Sequence, residues 1–281
     1  MTAETLAVVP LTSKRRGPAR TIADSLVMTQ RNLLQTTRMP ETLFWMTIQP
    51  VMFVLLFAYV FGGAIPLPGG GSYKEYLMVG VMAQTVAFGG ASTGVGLADD
   101  LQKGLVDRFR SLPMARSALL IGRSLAELMR NALILAIMAP VALLVGWRIH
   151  GTVPNAIAAY ALLLFFAFAM SWIGILIGLL VPNPETANSA GLGWLFPVVF
   201  LSNAFVPLNG MPGWLRAIAE WNPVSTTVAA GRSLFGNPNP IPKGAGFPLE
   251  HPVVATVAWC ALIVVIAIPL AADMYRKKLP H

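Results

Sequence analysis

Six long stretches without Asp, Glu, Lys or Arg constrain this chain more than any other feature: residues 44–61, 76–97, 131–147, 156–181, 190–208 and 253–272. A helix needs ~20 apolar residues to cross the hydrocarbon core of a bilayer, and each stretch is close to that length. The expected fold is therefore all-α, a polytopic membrane protein with six transmembrane helices. Hydrophobic residues at 56% against 11% charged are far from the balance of a water-soluble domain.

The basic residues set the orientation. Six precede the first stretch, six follow the second, none follows the fourth, and three close the chain, making fifteen on one side against five on the other. Cytoplasmic loops carry the excess of Lys and Arg, so both termini are expected in the cytoplasm. The net charge of +8 is then a matter of topology. Basic flanks on an apolar chain account for it without nucleic acid as a partner. No apolar core precedes Phe44, so a cleavable leader is not expected. Cys260 is the single cysteine, which rules out an internal disulfide and a Cys/His metal cluster.

Residues 1–20 read as a disordered arm, because Pro10, Gly17 and Pro18 interrupt any period. Residues 21–278 read as one transmembrane domain. Within it, 21–38 has Ile22, Leu26, Leu33 and Leu34 at helical spacing with polar residues elsewhere. That pattern predicts a helix lying flat on the cytoplasmic membrane surface. Gly90 and Gly94, and again Gly174 and Gly178, have the small-xxx-small spacing that lets helices approach closely.

The segment 99–130 carries most of the cytoplasmic charge, with Asp107, Arg108, Phe109 and Arg110 followed by a break at Pro113. A short charged helix ended by a proline makes a knob for a soluble partner. Arg123, Glu127 and Arg130 recur three or four residues apart on one face, a spacing that allows a structural charge cluster. Residues 209–252 form the expected external segment. Two short helical patterns, 211–221 and 223–235, are too short to span, and the tryptophans of the first suit the membrane interface.

Several chemistries are missing. No Gly-x-x-x-x-Gly-Lys-[Ser/Thr] phosphate loop, no His-Glu-x-x-His and no Gly-x-Ser-x-Gly occurs. The three histidines have no acidic cluster beside them, so no catalytic or metal site is expected. The spans offer no ionisable group at midplane depth of the kind that proton- or sodium-coupled transporters use. An apolar conduit energised from elsewhere remains.

Two runs carry a family resemblance: FRSLPMARSALLIGR at 109–123 and FVPLNGMPGWLRAIAEWNPVSTTVAAGR at 205–232. With six spans and a cytoplasmic N-terminal helix, they resemble the membrane subunits of type 2 ABC transporters. The likeness is greatest to daunorubicin/doxorubicin-resistance permeases and related drug or lipid exporters of actinobacteria. The resemblance implies a non-catalytic permease subunit in a bacterial plasma membrane. It implies two permease copies, in a homodimer, and two copies of a separate soluble ATPase that binds ATP and Mg. No cofactor would sit on this chain.

The resemblance also implies a coupling segment within 99–117, with Asp107, Arg108, Phe109, Arg110, Leu112 and Pro113 docking on the ATPase. Residues 212–235 would be external re-entrant helices. The pathway would lie between the two copies, lined by the first, second and fifth spans. On those spans Gln84, Phe88 and Ser92 share one helix face, Phe196, Phe200 and Asn203 another, and Gln49 and Phe53 a third. Rings beside hydroxyl and amide groups suit an amphiphilic cargo. The alternative at each position is glue between helices. Drug or antibiotic efflux is the leading reading of function, and export of a lipid, glycolipid or polyketide-type lipid of the envelope is the alternative. A non-transport membrane regulator or a lipid-modifying enzyme would lack an adjacent gene for a soluble ATPase.

Overall fold

The computed structural model describes residues 18–37, 40–62, 65–104 and 118–278. Within them every regular element is helical. In chain order these are α1 (Pro18–Thr37), α2 (Pro40–Leu56) continuing into a π-helical turn (Phe57–Phe61), α3 (Tyr73–Gln102), α4 (Ala118–Val145) and α5 (Val153–Leu180). Then come α6 (Pro184–Phe200), α7 (Gly213–Trp221), α8 (Pro223–Phe235), α9 (Phe247–Glu250) and α10 (Pro252–Lys277). Among the described residues three helices, α4, α5 and α10, are long and apolar enough to cross a membrane. This is a membrane protein.

The 30-residue α3 is the hub, packed against α2, α4, α5, α6 and α8. Its glycines, serines and threonines dilute its hydropathy, yet it is buried on nearly every side. That is what a helix surrounded by protein requires. The closest approach is to α5, where the small-xxx-small pairs meet each other. A Cβ on Gly94 would lie 2.5 Å from the Gly174 carbonyl oxygen, and a Cβ on Gly174 would collide with the Gly90 carbonyl. Both glycine pairs thus serve one crossing within the chain.

The α1 helix is amphipathic in an inverted sense. Ser25, Met28, Thr29 and Asn32 are buried, while Ile22, Leu26, Val27 and Leu34 are about half exposed or more. The polar side chains point inward to α4, where Thr29 Oγ1 donates to the Gly122 carbonyl at 3.3 Å. Such an apolar outer face calls for a cover of lipid or protein.

Three expectations shift. The expected arm loses its last residues to α1, which starts at Pro18 with the ring preset for a first helical turn. The fifth apolar stretch is helical earlier than its composition suggests. Asn183 caps α6 by accepting from Thr186 N at 2.8 Å, and the helix stops at Phe200, so 201–208 is turn rather than span. The third stretch begins earlier as well: α4 starts at Ala118, so Arg123, Glu127 and Arg130 lie on the same helix as the apolar residues after them. The external patterns fold as α7 and α8, the latter ended by Gly236 in the left-handed region at φ 72°. The expected coupling residues 107–113 lie outside the described residues.

Candidate functional site

Four residues of the expected pathway lie on a ribbon of phenylalanine rings that runs across α2, α3, α6 and the turn after α6. Phe53 stacks on Phe57 at 5.9 Å between centroids, and Phe57 stacks on Phe205 at 4.8 Å. Phe205 stacks on Phe200 at 5.3 Å, and Phe200 on Phe196 at 5.7 Å. Phe196 meets Phe88 edge-on at 5.4 Å. Phe61 adds a branch, stacked on Phe57 at 5.1 Å. Such centroid distances are those of attractive offset and edge arrangements. Phe205 is buried, Phe53, Phe57 and Phe88 are half-buried, and Phe196 and Phe200 remain 45% and 47% exposed. The outer rings therefore present apolar faces beyond the chain.

Four of the expected pathway residues, Phe53, Phe88, Phe196 and Phe200, lie on this ribbon. Two that complete it, Phe57 and Phe205, were not singled out in the sequence. Phe57 had a signal, since 53, 57 and 61 are spaced four apart on one helix face. The π-helical turn begins at Phe57.

The polar members take different positions. Gln84 and Asn203 are each 6% exposed, and neither side-chain carbonyl, Gln84 Oε1 or Asn203 Oδ1, has a hydrogen-bond partner among the described residues. Each offers an unused acceptor close in sequence to the ribbon. Gln49 is exposed one turn before Phe53. Ser92 is directed elsewhere: its hydroxyl lies 2.8 Å from the Gly89 carbonyl and 3.3 Å from Glu127 Oε2 on α4.

Ser92 thereby joins a buried polar layer between α1, α3 and α4. Glu127, with a side chain 2% exposed, pairs with Arg130 at 2.6 Å and accepts from Asn131 Nδ2 at 2.9 Å. Arg123 does not share that carboxylate, as the spacing had allowed. It turns to Asp100 on α3 at 2.6 Å, and Arg31 on α1 reaches the other oxygen of Asp100 at 3.3 Å. Asp100, placed only three residues beyond the second apolar stretch, gave no hint of this in its spacing. One buried carboxylate thus ties the first helix and the fourth to the end of the third.

At the other end lies Arg232 of α8, counted from sequence as an external charge and found to be fully buried. Its Nε donates to the Tyr76 carbonyl at 2.9 Å, and its Nη2 donates to the Asn203 and Ala204 carbonyls at 3.0 and 3.1 Å. Tyr76 Oη donates to the same Asn203 carbonyl at 2.6 Å, and Tyr73 Oη donates to the Phe205 carbonyl at 3.0 Å. These bonds hold the turn 201–206, and with it Phe205, against the start of α3. Asn203 is therefore a structural anchor through its backbone, while its amide oxygen remains unpaired. The Arg232 signal in the sequence was weak: a single cation inside a run of small residues, Ala229-Ala230-Gly231.

Comparison with known proteins fits this arrangement. The family model described as "ABC-2 type transporter" matches residues 24–235. A protein named daunorubicin resistance ABC transporter permease, from Streptomyces coeruleorubidus, is 33% identical over 94% of this chain and 90% of its own. A probable doxorubicin resistance ABC transporter permease of Mycobacterium tuberculosis is 27% identical over 92% of this chain and 91% of its own. A putative transport permease of Porphyra purpurea is 28% identical over 75% of this chain and 73% of its own.

Proposed function

Starting from a chain that belongs to the ABC-2 type transporter family, we propose that it is the permease subunit of an ATP-driven exporter. Its cargo is an amphiphilic aromatic compound moved out of the cytoplasm. A separate soluble ATPase, bound in two copies with ATP and Mg, supplies the energy. The observation that carries this reading is the phenylalanine ribbon with its half-exposed outer rings and the two unused amide oxygens near it. Rings take up the flat apolar body of a cargo, and Gln84 and Asn203 orient its donors. The drug-resistance names of the relatives favour drug efflux over lipid export.

In the same reading six segments span, with α2, α3 and α6 joining α4, α5 and α10, and both termini lie in the bacterial cytoplasm. Two copies face each other across the ribbon. The α7–α8 pair dips into the membrane from outside. Residues 107–113 dock on the ATPase.

The test is reconstitution with the soluble ABC ATPase that co-purifies with this chain. Daunorubicin and simple phospholipids are compared as stimulators of ATP hydrolysis. Stimulation by the aromatic amphiphile, lowered in Phe200→Ala at normal basal rate, supports drug efflux. Stimulation by lipid alone overturns it in favour of envelope lipid export. Arg108→Glu with Arg110→Glu keeps insertion but loses ATPase binding; a double variant that transports normally removes the docking role.

A further inference from the structure

On the far side of α6 from the ribbon is a cavity of about 560 Å³, walled by the end of α6, by α7 with the residues after it, and by α10. Trp194 and Val198 contribute from α6, Leu201 from the turn after it, Ile218 and Trp221 from α7, Asn222 from the junction with α8, and Trp259 from α10. At 100° per residue, Trp194 and Val198 of this wall lie roughly 120–160° around α6 from Phe196 and Phe200. The cavity is therefore separate from the ribbon.

Its chemistry is apolar. The single amide in the wall, Asn222, is already committed. Its Nδ2 donates to the Val198 and Leu201 carbonyls at 2.6 and 2.9 Å, and its Oδ1 accepts from Val224 N at 2.8 Å. Among the described residues the buried Trp194 Nε1–H has no hydrogen-bond partner. An occupant needs a long apolar body with little polar surface.

The surroundings identify where such a body comes from. Trp214, Ile218 and Trp221 form one stripe on α7 at i, i+4 and i+7, and they are 70%, 53% and 59% exposed. Tryptophans on an outward stripe mark the boundary between headgroups and hydrocarbon. α10, the opposite wall, is the least buried of the apolar helices, with Val265 and Ile266 well exposed. Trp259 lies seven residues into α10, about 10 Å along its axis by helical rise. With Trp214 and Trp221 at the interface, the wall at Trp259 reaches acyl-chain depth.

We infer that this cavity binds one acyl chain of an outer-leaflet phospholipid, wedged between α6, α7 and α10. The inference rests on the membrane location and on the outward orientation of α7, not on the identity of the cargo. The chain fills the space behind the ribbon, and its ester region sits beside Trp221.

The experiment uses the full chain in nanodiscs doped with a phosphatidylglycerol carrying a diazirine on one acyl chain, and maps crosslinks by mass spectrometry. Labelling of Trp194 and Trp259 several-fold above that of Val265, an ordinary lipid-facing residue, is expected. Val198→Phe, or Ile218→Phe if the first variant is not recovered, fills the space. Either one lowers labelling at Trp194 and Trp259 several-fold while Val265 labelling is unchanged. Uniform labelling of all three positions, or indifference to the filling variants, overturns the site. Loss of labelling on adding stoichiometric daunorubicin overturns it as well, since the cavity then takes cargo. That last outcome leaves the exporter reading intact, so the two proposals fail separately.

Discussion

The Arg232 guanidinium lies 3.4 Å from the centroid of the Tyr76 ring, while its Nε donates to the carbonyl of that same residue. A cation so buried, with carbonyls and ring faces around it, is held by geometry as much as by charge. Arg232→Met leaves the Tyr76, Asn203 and Ala204 carbonyls short of a donor. The expected loss is roughly 2–4 kcal/mol, from one to three unsatisfied groups. Arg232→Lys keeps the charge but loses the planar fork and recovers only part of it. Thermal unfolding of the detergent-solubilised protein reads the difference. A Met variant that melts with the wild type shows that the clasp does not hold the turn 201–206 to α3.

The glycine crossing gives a steric prediction. Gly174→Val places a side chain against the Gly90 backbone, and Gly94→Val does the same against Gly174. Overpacking at such a contact costs about 1–3 kcal/mol or more, because backbone cannot step aside. Gly193, on the open side of α6 with no atom near its would-be Cβ, serves as the control. Gly193→Ala should purify like the parent. Equal yields of all three variants would mean that α3 and α5 do not depend on this approach.

Asp100 makes two ion pairs of different exposure. Its partner Arg123 is 12% exposed and Arg31 is 30% exposed, against 3% for the carboxylate itself. Removing one partner of a buried pair costs about 3–5 kcal/mol, whereas exposed pairs contribute little. Asp100→Asn should therefore loosen α1 and destabilise the protein, and Arg31→Ala should loosen α1 with only a small drop in stability. Amide exchange across α1 is the readout. Unchanged exchange in Asp100→Asn would leave the packing of Met28 and its neighbours as the sole tether.

The ribbon is tested by its hidden members. Phe57→Ala removes three ring contacts, to Phe53, Phe61 and Phe205, and Phe205→Ala removes two, to Phe57 and Phe200. Aromatic pairs contribute about 0.5–1.5 kcal/mol each, so losing the equivalent of one pair should shift half-maximal stimulation by daunorubicin upward by roughly two- to tenfold. Basal hydrolysis should stay near normal in Phe57→Leu, which keeps the volume but not the stacking. A loss of yield that tracks the loss of activity in every variant, with an unchanged compound profile, would make the ribbon a packing feature only.

Local signals were legible, and tertiary ones were not. The start and stop of α8 could be read from Pro223 and Gly236, because a preset φ and a left-handed cap are properties of single residues. The helical period of α1 was legible as well, whereas the inward turn of Ser25, Thr29 and Asn32 was not. The end of α6 did not follow from composition, since residues 201–208 are as apolar as the helix before them. What supports the turn there is Asn222, which takes up carbonyls that a helix end leaves over, from 21 residues downstream. The position of Phe205 in the ribbon depends on that turn, so it was hidden for the same reason. The pairing of Arg123 with Asp100 depends on how α3 and α4 cross, which no spacing along α4 encodes.

Two faces of α6 look in different directions, and this sets how substitutions along it will read out. Phe196 and Pro197 are adjacent in the chain, yet one belongs to the ribbon and the other to the far wall. A residue-by-residue scan of Pro184–Phe200 should produce phenotypes that oscillate with a period near 3.6 rather than fading smoothly with distance from either end. Substitutions in one phase would alter which compounds are handled, and those in the other would alter sensitivity to bilayer composition. The helix behaves as a party wall between two tenants, and each knock is heard on one side only.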